Sequence, residues 1–247
     1  MRRRAQSLVM RKLGDAAQAP QALHEEPILH YTDPGGITTD ATIWAWGKTG
    51  RPLALAAIFY EKLSPDTEKW SCELTALADE KLRVESKTGW EWTPQKSDID
   101  LRSAPGEPAP GDSLRQRARQ MNEISRRFSV SETFSAERTD QLRLMPRALY
   151  RYADAEHGLI DGALYAFAGG TNPEALLLVE ARTTPEGVAW HYGFARLGAA
   201  QLQAMLDDKL VWQRPGVVRW DANEPYYSVF GPDGEVFQST LDTESKP

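Results

Sequence analysis

Residues 31–55, YTDPGGITTDATIWAWGKTGRPLAL, contain the β-hairpin that decides the fold. The segment 44–46 is rich in strand-forming residues, Gly47 and Gly50 allow positive φ angles, and apolar strand sequence resumes at Leu53. The GKTG between the strands lacks the Walker phosphate-loop pattern, because that pattern needs a glycine where Thr42 stands. The stretch therefore predicts two strands joined by a bend.

The same pattern returns 121 residues later, at 152–176, YADAEHGLIDGALYAFAGGTNPEAL. Seven of the twenty-five aligned positions are identical without a gap, where ordinary residue frequencies give about one or two. The identical pairs are Tyr31/Tyr152, Asp33/Asp154, Asp40/Asp161, Ala45/Ala166, Pro52/Pro173, Ala54/Ala175 and Leu55/Leu176. We interpret the repeat as an internal duplication. The alternative is that two unrelated hairpins share strand–turn–strand chemistry.

Each repeat predicts a lead-in segment, a hairpin and a third strand that begins near Trp70 or Trp190. The hairpins cover roughly 41–61 and 162–182, and their strands are apolar on both alternations, which is typical of strands covered on both faces. The predicted fold class is α+β, mostly antiparallel β, with two related β-meander units and a central amphipathic helix.

The predicted central helix follows a proline- and glycine-rich linker at 103–111. Ser113 and Gln116 have capping-box spacing at its start. Apolar residues then recur at three- and four-residue steps, at Leu114, Ala118, Met121, Ile124 and Phe128. A second, shorter helix is predicted over 199–208, because Leu202, Met205 and Leu206 share a helical face.

These elements predict five segments along the chain. They are an N-terminal extension, partly helical or disordered, at 1–26, a first β unit at 27–102, a linker and Arg-rich helix at 103–140, a second β unit at 141–240 and a tail at 241–247.

Composition and charge exclude several classes of protein. A chain of 247 residues with 41% hydrophobic residues has ample material for a core. A net charge of -6 argues against nucleic-acid binding, because no domain-wide basic excess is available to displace counterions. The apolar run 8–10 is too short for a signal peptide and no stretch is long enough to span a membrane. We expect a cytoplasmic protein, or an exported one if the start codon is misassigned.

Matched polar and aromatic positions supply the candidate ligand-binding residues. Aspartates placed symmetrically around a cleft can act as acid and base or bind a hard cation, and paired aromatic rings can line a pocket. The candidates are Asp40, Asp161, Trp44, Trp46, Tyr165 and Phe167. The structural alternative is that the aspartates serve turns and strand entry and that the aromatic rings fill the core.

The predicted helix carries five arginines and a single glutamate, Glu123. This excess predicts a docking face for an acidic protein partner through Arg115, Arg119 and Arg126, or else a solvated face that pairs with the protein's own carboxylates. The four histidines show no metal-ligand spacing, and no catalytic or dinucleotide motif is present. We predict no catalytic residues, no metal and no cofactor. The lone Cys72 lies in a predicted strand and is expected to be a buried, inert thiol.

The segments LRLMPRALYRY at 142–152, GLIDGALYAFAGGTNPEALLLVEAR at 158–182 and TIWAWGKTGRPLALAAIFYEK at 42–62 resemble a set of bacterial proteins of unassigned function. The resemblance covers about residues 30–240. Members of this set commonly look exported, and the resemblance implies no activity.

The predicted function is a non-catalytic binding or interaction module, because packing residues are abundant and no catalytic constellation is present. One alternative is a hydrolase that uses the paired aspartates in a pseudo-symmetric cleft. Another is a flavin-binding split barrel, suggested by strand–turn–strand sequence of the GRP type, at 50–52.

Overall fold

The computed structural model describes residues 1–14, 19–33, 38–64, 67–135 and 137–230. Two α-helices lie in these ranges, α1 at Arg2–Ala5 and α2 at Leu114–Ser125, with a single 3-10 turn at Ala155–His157. The strands are β1 Leu8–Lys12, β2 Leu29–Tyr31, β3 Thr38–Trp46, β4 Ala54–Ser64, β5 Thr67–Ala76, β6 Leu82–Ser86, β7 Glu91–Trp92, β8 Arg102–Ser103, β9 Phe128–Ser135, β10 Arg138–Leu144, β11 Tyr150–Asp154, β12 Leu159–Gly169, β13 Asn172–Thr184, β14 Gly187–Arg196, β15 Gln201–Leu206, β16 Lys209–Arg214 and β17 Tyr226–Phe230.

The strands form three antiparallel sheets. The first sheet has five strands in the order β17-β5-β4-β3-β2. The second has nine, in the order β16-β15-β9-β10-β12-β13-β14-β8, with β11 also paired to β12. A small third sheet has the order β1-β6-β7. The predicted fold class, α+β with mostly antiparallel strands, is confirmed.

The two meander units have the same strand pairing. Trp44 pairs with Ala56 across the first hairpin, and Tyr165 pairs with Leu177 across the second, 121 residues further on. Each first hairpin strand also has a register shift at its start, between Thr38 and Asp40 in β3 and between the equivalent residues in β12. Shared order and register agree with a duplication, although a common origin stays a proposal.

The recurrence extends beyond the segments that the sequence aligns. Val84 of β6 pairs with Trp92 of β7, and Ala204 of β15 pairs with Trp212 of β16, 120 residues later. The strand before each meander, β1 or β9, pairs with β6 or β15 in the same way.

Three hydrophobic cores hold the layers together. A first core lies between one face of the first sheet and the small sheet, and it contains Trp44, Trp46 and Trp92. A second core lies between one face of the second sheet and α2, and it contains Tyr165 and Phe167. A central core joins the remaining faces of the two meanders through residues of both units. The hairpin strands are therefore covered on both faces, as their composition predicts.

Helix α2 begins as predicted. The Ser113 hydroxyl accepts a hydrogen bond from the Gln116 amide and the Gln116 side chain accepts one from the Ser113 amide, which completes the capping box. Met121 and Ile124 of the predicted stripe are buried, whereas Leu114 is 63% exposed and Phe128 already belongs to β9.

The helix predicted over 199–208 is wrong, because Gln201–Leu206 is strand β15. Leu202 and Leu206 fit both a helical and an alternating pattern in so short a segment, and pairing with β9 selects the strand. Asp207 and Asp208 then adopt positive φ angles of 47° and 63°, which form the two-residue turn to β16.

Two predicted boundaries differ from the observed pairing. Residues 8–12 lie in the predicted N-terminal extension, yet they form β1 of the small sheet. Strand β17, in the predicted second unit, pairs with β5 of the first sheet. The GKTG segment is a bend between β3 and β4, as predicted, with Gly47 and Gly50 at positive φ. The predicted tail lies outside the described residues.

Candidate functional site

The predicted aromatic pocket is not assembled by the fold. Trp44 and Trp46 are at most 2% exposed in the first core. Tyr165 and Phe167 are equally buried in the second core, on the far side of the two sheets. All four side chains therefore fill cores, and the structure does not bring the two pairs together.

The predicted aspartates also lie apart. Asp40, half-exposed on β3, pairs with His30 at 2.6 Å. Asp161 on β12 is 2% exposed and accepts hydrogen bonds from Arg117 at 2.9 Å and Arg151 at 2.5 Å. These aspartates belong to different sheets and have separate hydrogen-bonding partners. Asp40 and Asp161 therefore do not share the cleft that the hydrolase alternative requires.

Of the three arginines proposed for partner binding, Arg115 and Arg119 are exposed on α2 and Arg126 is exposed at its C-cap. Arg119 makes a 3.5 Å pair with Glu123 one turn along the helix. Of the other two arginines of the predicted helix, Arg117 faces inward and is 9% exposed, since it binds Asp161, and Arg127 pairs with Glu107 and Asp207. Arg115, Arg119 and Arg126 stay candidates for an acidic partner.

The units contact each other reciprocally through their hairpin turns. The Gly50 amide in the first turn donates to the Ala153 carbonyl of β11 at 3.1 Å. At the equivalent place, the Thr171 hydroxyl in the second turn donates to the Thr32 carbonyl beside β2. The fold therefore has two related junctions, each made by the turn of one unit and the lead-in strand of the other.

The first, which we call the arginine junction, contains Arg51, Tyr152, Glu180 and Arg182. Glu180 is fully buried, and its carboxylate accepts from Arg51 Nε at 2.8 Å and Arg51 Nη2 at 3.0 Å. Arg182 and the Tyr152 hydroxyl donate at 2.8 and 2.9 Å. Burial alone would raise the pKa of Glu180, but the Arg51 hydrogen bonds and charge hold it below its usual value.

The second, the asparagine junction, contains Tyr31, Asn172 and Glu174. The Tyr31 hydroxyl donates to Asn172 Oδ1 at 2.8 Å, a hydrogen bond that joins the two units. Asn172, which occupies the sequence position equivalent to Arg51, donates through Nδ2 to Glu174 Oε1 at 2.6 Å. An amide carries no charge. Burial, and then the charges of Glu73 and Glu132, raise the pKa of Glu174 well above its usual value.

Glu132 is the second carboxyl at this junction. It is 4% exposed, because it continues the inward-facing positions of β9 after Phe128 and Val130. Its Oε2 atom is buried, and no residue in the described part of the chain donates a hydrogen bond to it. Burial and the nearby Asp140 raise the pKa of Glu132.

These carboxyls line a cleft of about 490 Å³ between the β9–β10 hairpin and the turn after β12. We call it the acidic cleft, defined by Asp33, Glu132, Asp140, Glu174 and Arg138. The Arg138 guanidinium is already paired with Asp140 at 2.7 Å. The lining therefore has an excess of carboxyl groups over cations.

Two glycines make room for the cleft carboxyls. A Cβ atom on Gly169 would lie 2.8 Å from Glu132 Oε1, and one on Gly198 would lie 1.7 Å from Glu174 Oε2. Both distances are shorter than a non-bonded contact allows. Alanine at either position would displace a carboxyl group.

A cleft of about 520 Å³ at the arginine junction has a different charge balance. Each of its basic side chains has a carboxylate partner: Lys12 binds Glu80, Arg51 and Arg182 bind Glu180, and His157 binds Asp154. The charges there are neutralised within the protein, which leaves the acidic cleft as the better candidate for a ligand.

Glu132 and Glu174 are not among the residues predicted from the sequence, although the sequence contains one signal for Glu132. In FSVSETF, at 128–134, every second residue is apolar except the acid at 132, so a carboxyl occupies an inward position of an alternating strand. No comparable signal marks Glu174, because its junction is made by residues far apart in sequence.

Comparison with known proteins adds no functional assignment. No family model, curated protein or solved structure matches the sequence. Among the residues that the structure describes, no helix is long and apolar enough to cross a membrane. Within the same ranges, no group of three or more His, Cys, Asp or Glu side chains is placed to hold a metal ion.

Proposed function

We propose that the protein is a non-catalytic binding module whose acidic cleft binds a cationic group, an amine or a guanidinium. The observation that carries the proposal is Glu132, a carboxyl that is 4% exposed, lines a cleft and has a buried oxygen without a donor. Buried polar atoms without partners are rare in native proteins, because each costs about 1–3 kcal/mol. A ligand with N–H donors would remove that cost.

The arginine junction indicates what kind of ligand fits. There, the turn residue Arg51 supplies the cation that keeps Glu180 ionised. At the equivalent position the second unit has Asn172, and the cleft carboxyls lack such a cation. A guanidinium or ammonium group from outside would make the missing contacts, since charge-assisted hydrogen bonds to carboxylates are the stronger class.

Binding should depend on pH in a defined direction. Burial disfavours the ionised form of Glu132 and Glu174, whose pKa values are raised. A cation favours the ionised form, so binding releases protons. We expect affinity to increase as the pH rises from 5 to 8.

Titration of the protein with propylguanidinium chloride, followed by NMR shifts of the Gly169 and Gly170 amides in the cleft, tests the proposal. Loss of one charge-assisted contact, about 1.5–3 kcal/mol, should weaken binding about 10- to 100-fold in Glu132→Gln. Asn172→Arg should also abolish binding, because it supplies the cation internally.

Glu137→Gln is the matched control. Glu137 is an exposed acid on the same hairpin and does not line the acidic cleft, yet its loss changes the net charge equally. If Glu137→Gln weakens binding as much as Glu132→Gln, the interaction is diffuse attraction and the proposal fails. If the protein hydrolyses nitrophenyl esters or glycosides and Glu132→Gln abolishes that activity, the protein is an enzyme and the non-catalytic proposal is wrong.

We also propose that the two units arose by duplication and that the chain belongs to the bacterial set that it resembles. Matched strand order, register and reciprocal turn contacts support the duplication. Docking of an acidic partner on Arg115, Arg119 and Arg126 is a second proposal, supported by their exposure on α2 and at its C-cap. Reversing the charge of all three should abolish a salt-sensitive interaction and leave propylguanidinium binding unchanged.

A further inference from the structure

We infer that the cationic group belongs to an extended peptide segment, which adds as a strand to the open edge of β10 and places a Lys or Arg side chain in the acidic cleft. The inference rests on the proposed function and specifies the partner of the same site.

Strand β10 is paired on only one side along most of its length. Arg138–Leu142 pairs with β9 throughout, but pairing with β12 is confined to Arg143 and Leu144. On the N-terminal side of Arg143, no described strand covers that edge of β10, because β12 ends at Gly169 and the chain turns away into β13. Alternate backbone N–H and C=O groups of 138–142 are left available for another strand.

The open edge and the acidic cleft are the same place in the fold. Asp140 and Gln141 of β10 line the cleft on one side, and Gly170 of the β12–β13 turn lines it on the other. A segment paired with β10 lies on the side of β10 away from β9, and the Glu132 carboxyl extends across β10 toward Gly169 of β12, where a basic side chain of the segment can approach it. Main-chain hydrogen bonds would give such a segment affinity, and the carboxyls would select its side chain.

The position of Phe134 indicates that the peptide segment also carries an apolar side chain. It lines the same cleft, it is 55% exposed, and its ring stacks against Arg138 with the guanidinium 4.8 Å from the ring centre. Residues two apart on a strand point to the same face, about 7 Å from each other. The fitting segment therefore has a basic residue and an apolar residue separated by one position.

The test compares propylguanidinium with the acetylated, amidated pentapeptide Val-Thr-Arg-Thr-Val in the same NMR titration. We expect the peptide to bind at least tenfold more tightly, with shifts that extend along 138–142. Replacing its arginine by citrulline should reduce affinity at least tenfold. Two further peptides carry N-methyl groups at alternate residues, and the one methylated on the edge that faces β10 should lose the gain over propylguanidinium.

The outcomes separate this inference from the proposed function. If propylguanidinium binds while the peptide binds no more tightly and neither N-methylated form is weakened, the strand addition is wrong and the cation site stands. If neither probe binds, both are wrong. Sedimentation showing that β10 pairs with a second copy of the chain, and that the peptide does not dissociate the pair, would also overturn the peptide inference.

Discussion

Replacement of Arg51 by methionine should destabilise the protein through the arginine junction. Methionine keeps most of the side-chain volume and removes the guanidinium, which donates two hydrogen bonds to Glu180 and one, at 3.1 Å, to the Leu77 carbonyl. Glu180 is fully buried and would keep only Arg182 and the Tyr152 hydroxyl as donors. The substitution leaves a buried carboxylate that is only partly compensated.

The expected cost follows from that burial. Breaking a buried ion pair by removing one partner costs about 3–5 kcal/mol. Because Arg182 and Tyr152 remain, we expect the lower end, about 3 kcal/mol, for Arg51→Met. With a urea m-value of about 3 kcal/mol/M for a chain of this size, the unfolding midpoint should fall by about 1 M.

The pH dependence provides a second measurement of the same effect. In the wild-type protein the lowered pKa of Glu180 gives stability that is present above the unfolded-state pKa and is lost as the pH falls through the folded-state value. In the variant the carboxyl lacks its main cation, so its pKa rises and protonation relieves the cost as the pH falls. The difference between the two proteins should therefore shrink from pH 7 to pH 4.

Arg115→Met is the control, since Arg115 is exposed on α2 and the net charge changes equally. It should leave the urea midpoint unchanged. A loss below about 1 kcal/mol in Arg51→Met at pH 7, or a loss of equal size at pH 7 and pH 4, would show that the junction does not hold an ionised, buried pair.

Three further predictions concern other parts of the fold. Burial raises the pKa of Glu73 to about 8, so wild-type stability should fall as the pH rises from about 5 to 8, and Glu73→Gln, measured by urea unfolding, should remove that dependence. Ser113→Ala should cost about 1 kcal/mol in thermal unfolding, and Ser113→Gly less, because the Ser113 side chain caps α2; equal costs would point to lost packing. Burial also raises the pKa of Cys72, so a disulfide reagent should modify the thiol only after unfolding, and rapid reaction of the native protein would contradict its placement.

The hairpins could be predicted from the sequence because their signals are local. Strand residues, a glycine-containing bend and apolar alternation all lie within 41–61 or 162–182, and β3–β4 and β12–β13 form there. Strand β15 could not be assigned in this way. Its apolar residues fit two periods, and its partner β9 lies about 70 residues away. The Asp207–Asp208 turn was the one local sign of a hairpin there.

The candidate site was less predictable than the fold, because it depends on contacts between distant residues. Glu132 and Asn172 are 40 positions apart, and they line one cleft only because β10 leaves β12 where the second hairpin turns. Asp40 and Asp161 are predicted as site residues because they occupy matched positions in the two repeats. In the structure each has a separate side-chain partner, His30 for Asp40 and Arg117 for Asp161.

Where two related units pack reciprocally, an unmatched position is more informative about binding than a matched one. Tyr31 and Tyr152 are matched, and each donates a hydrogen bond at its junction, Tyr31 to Asn172 of the other unit and Tyr152 to Glu180 of its own unit. Arg51 and Asn172 are the unmatched pair. The guanidinium at the first junction neutralises a carboxylate, and the amide at the second cannot. The asparagine junction therefore has a carboxyl, Glu174, whose pKa is raised, and beside it Glu132 Oε2, a buried oxygen without a donor among the described residues, which is where the proposed external cation would bind.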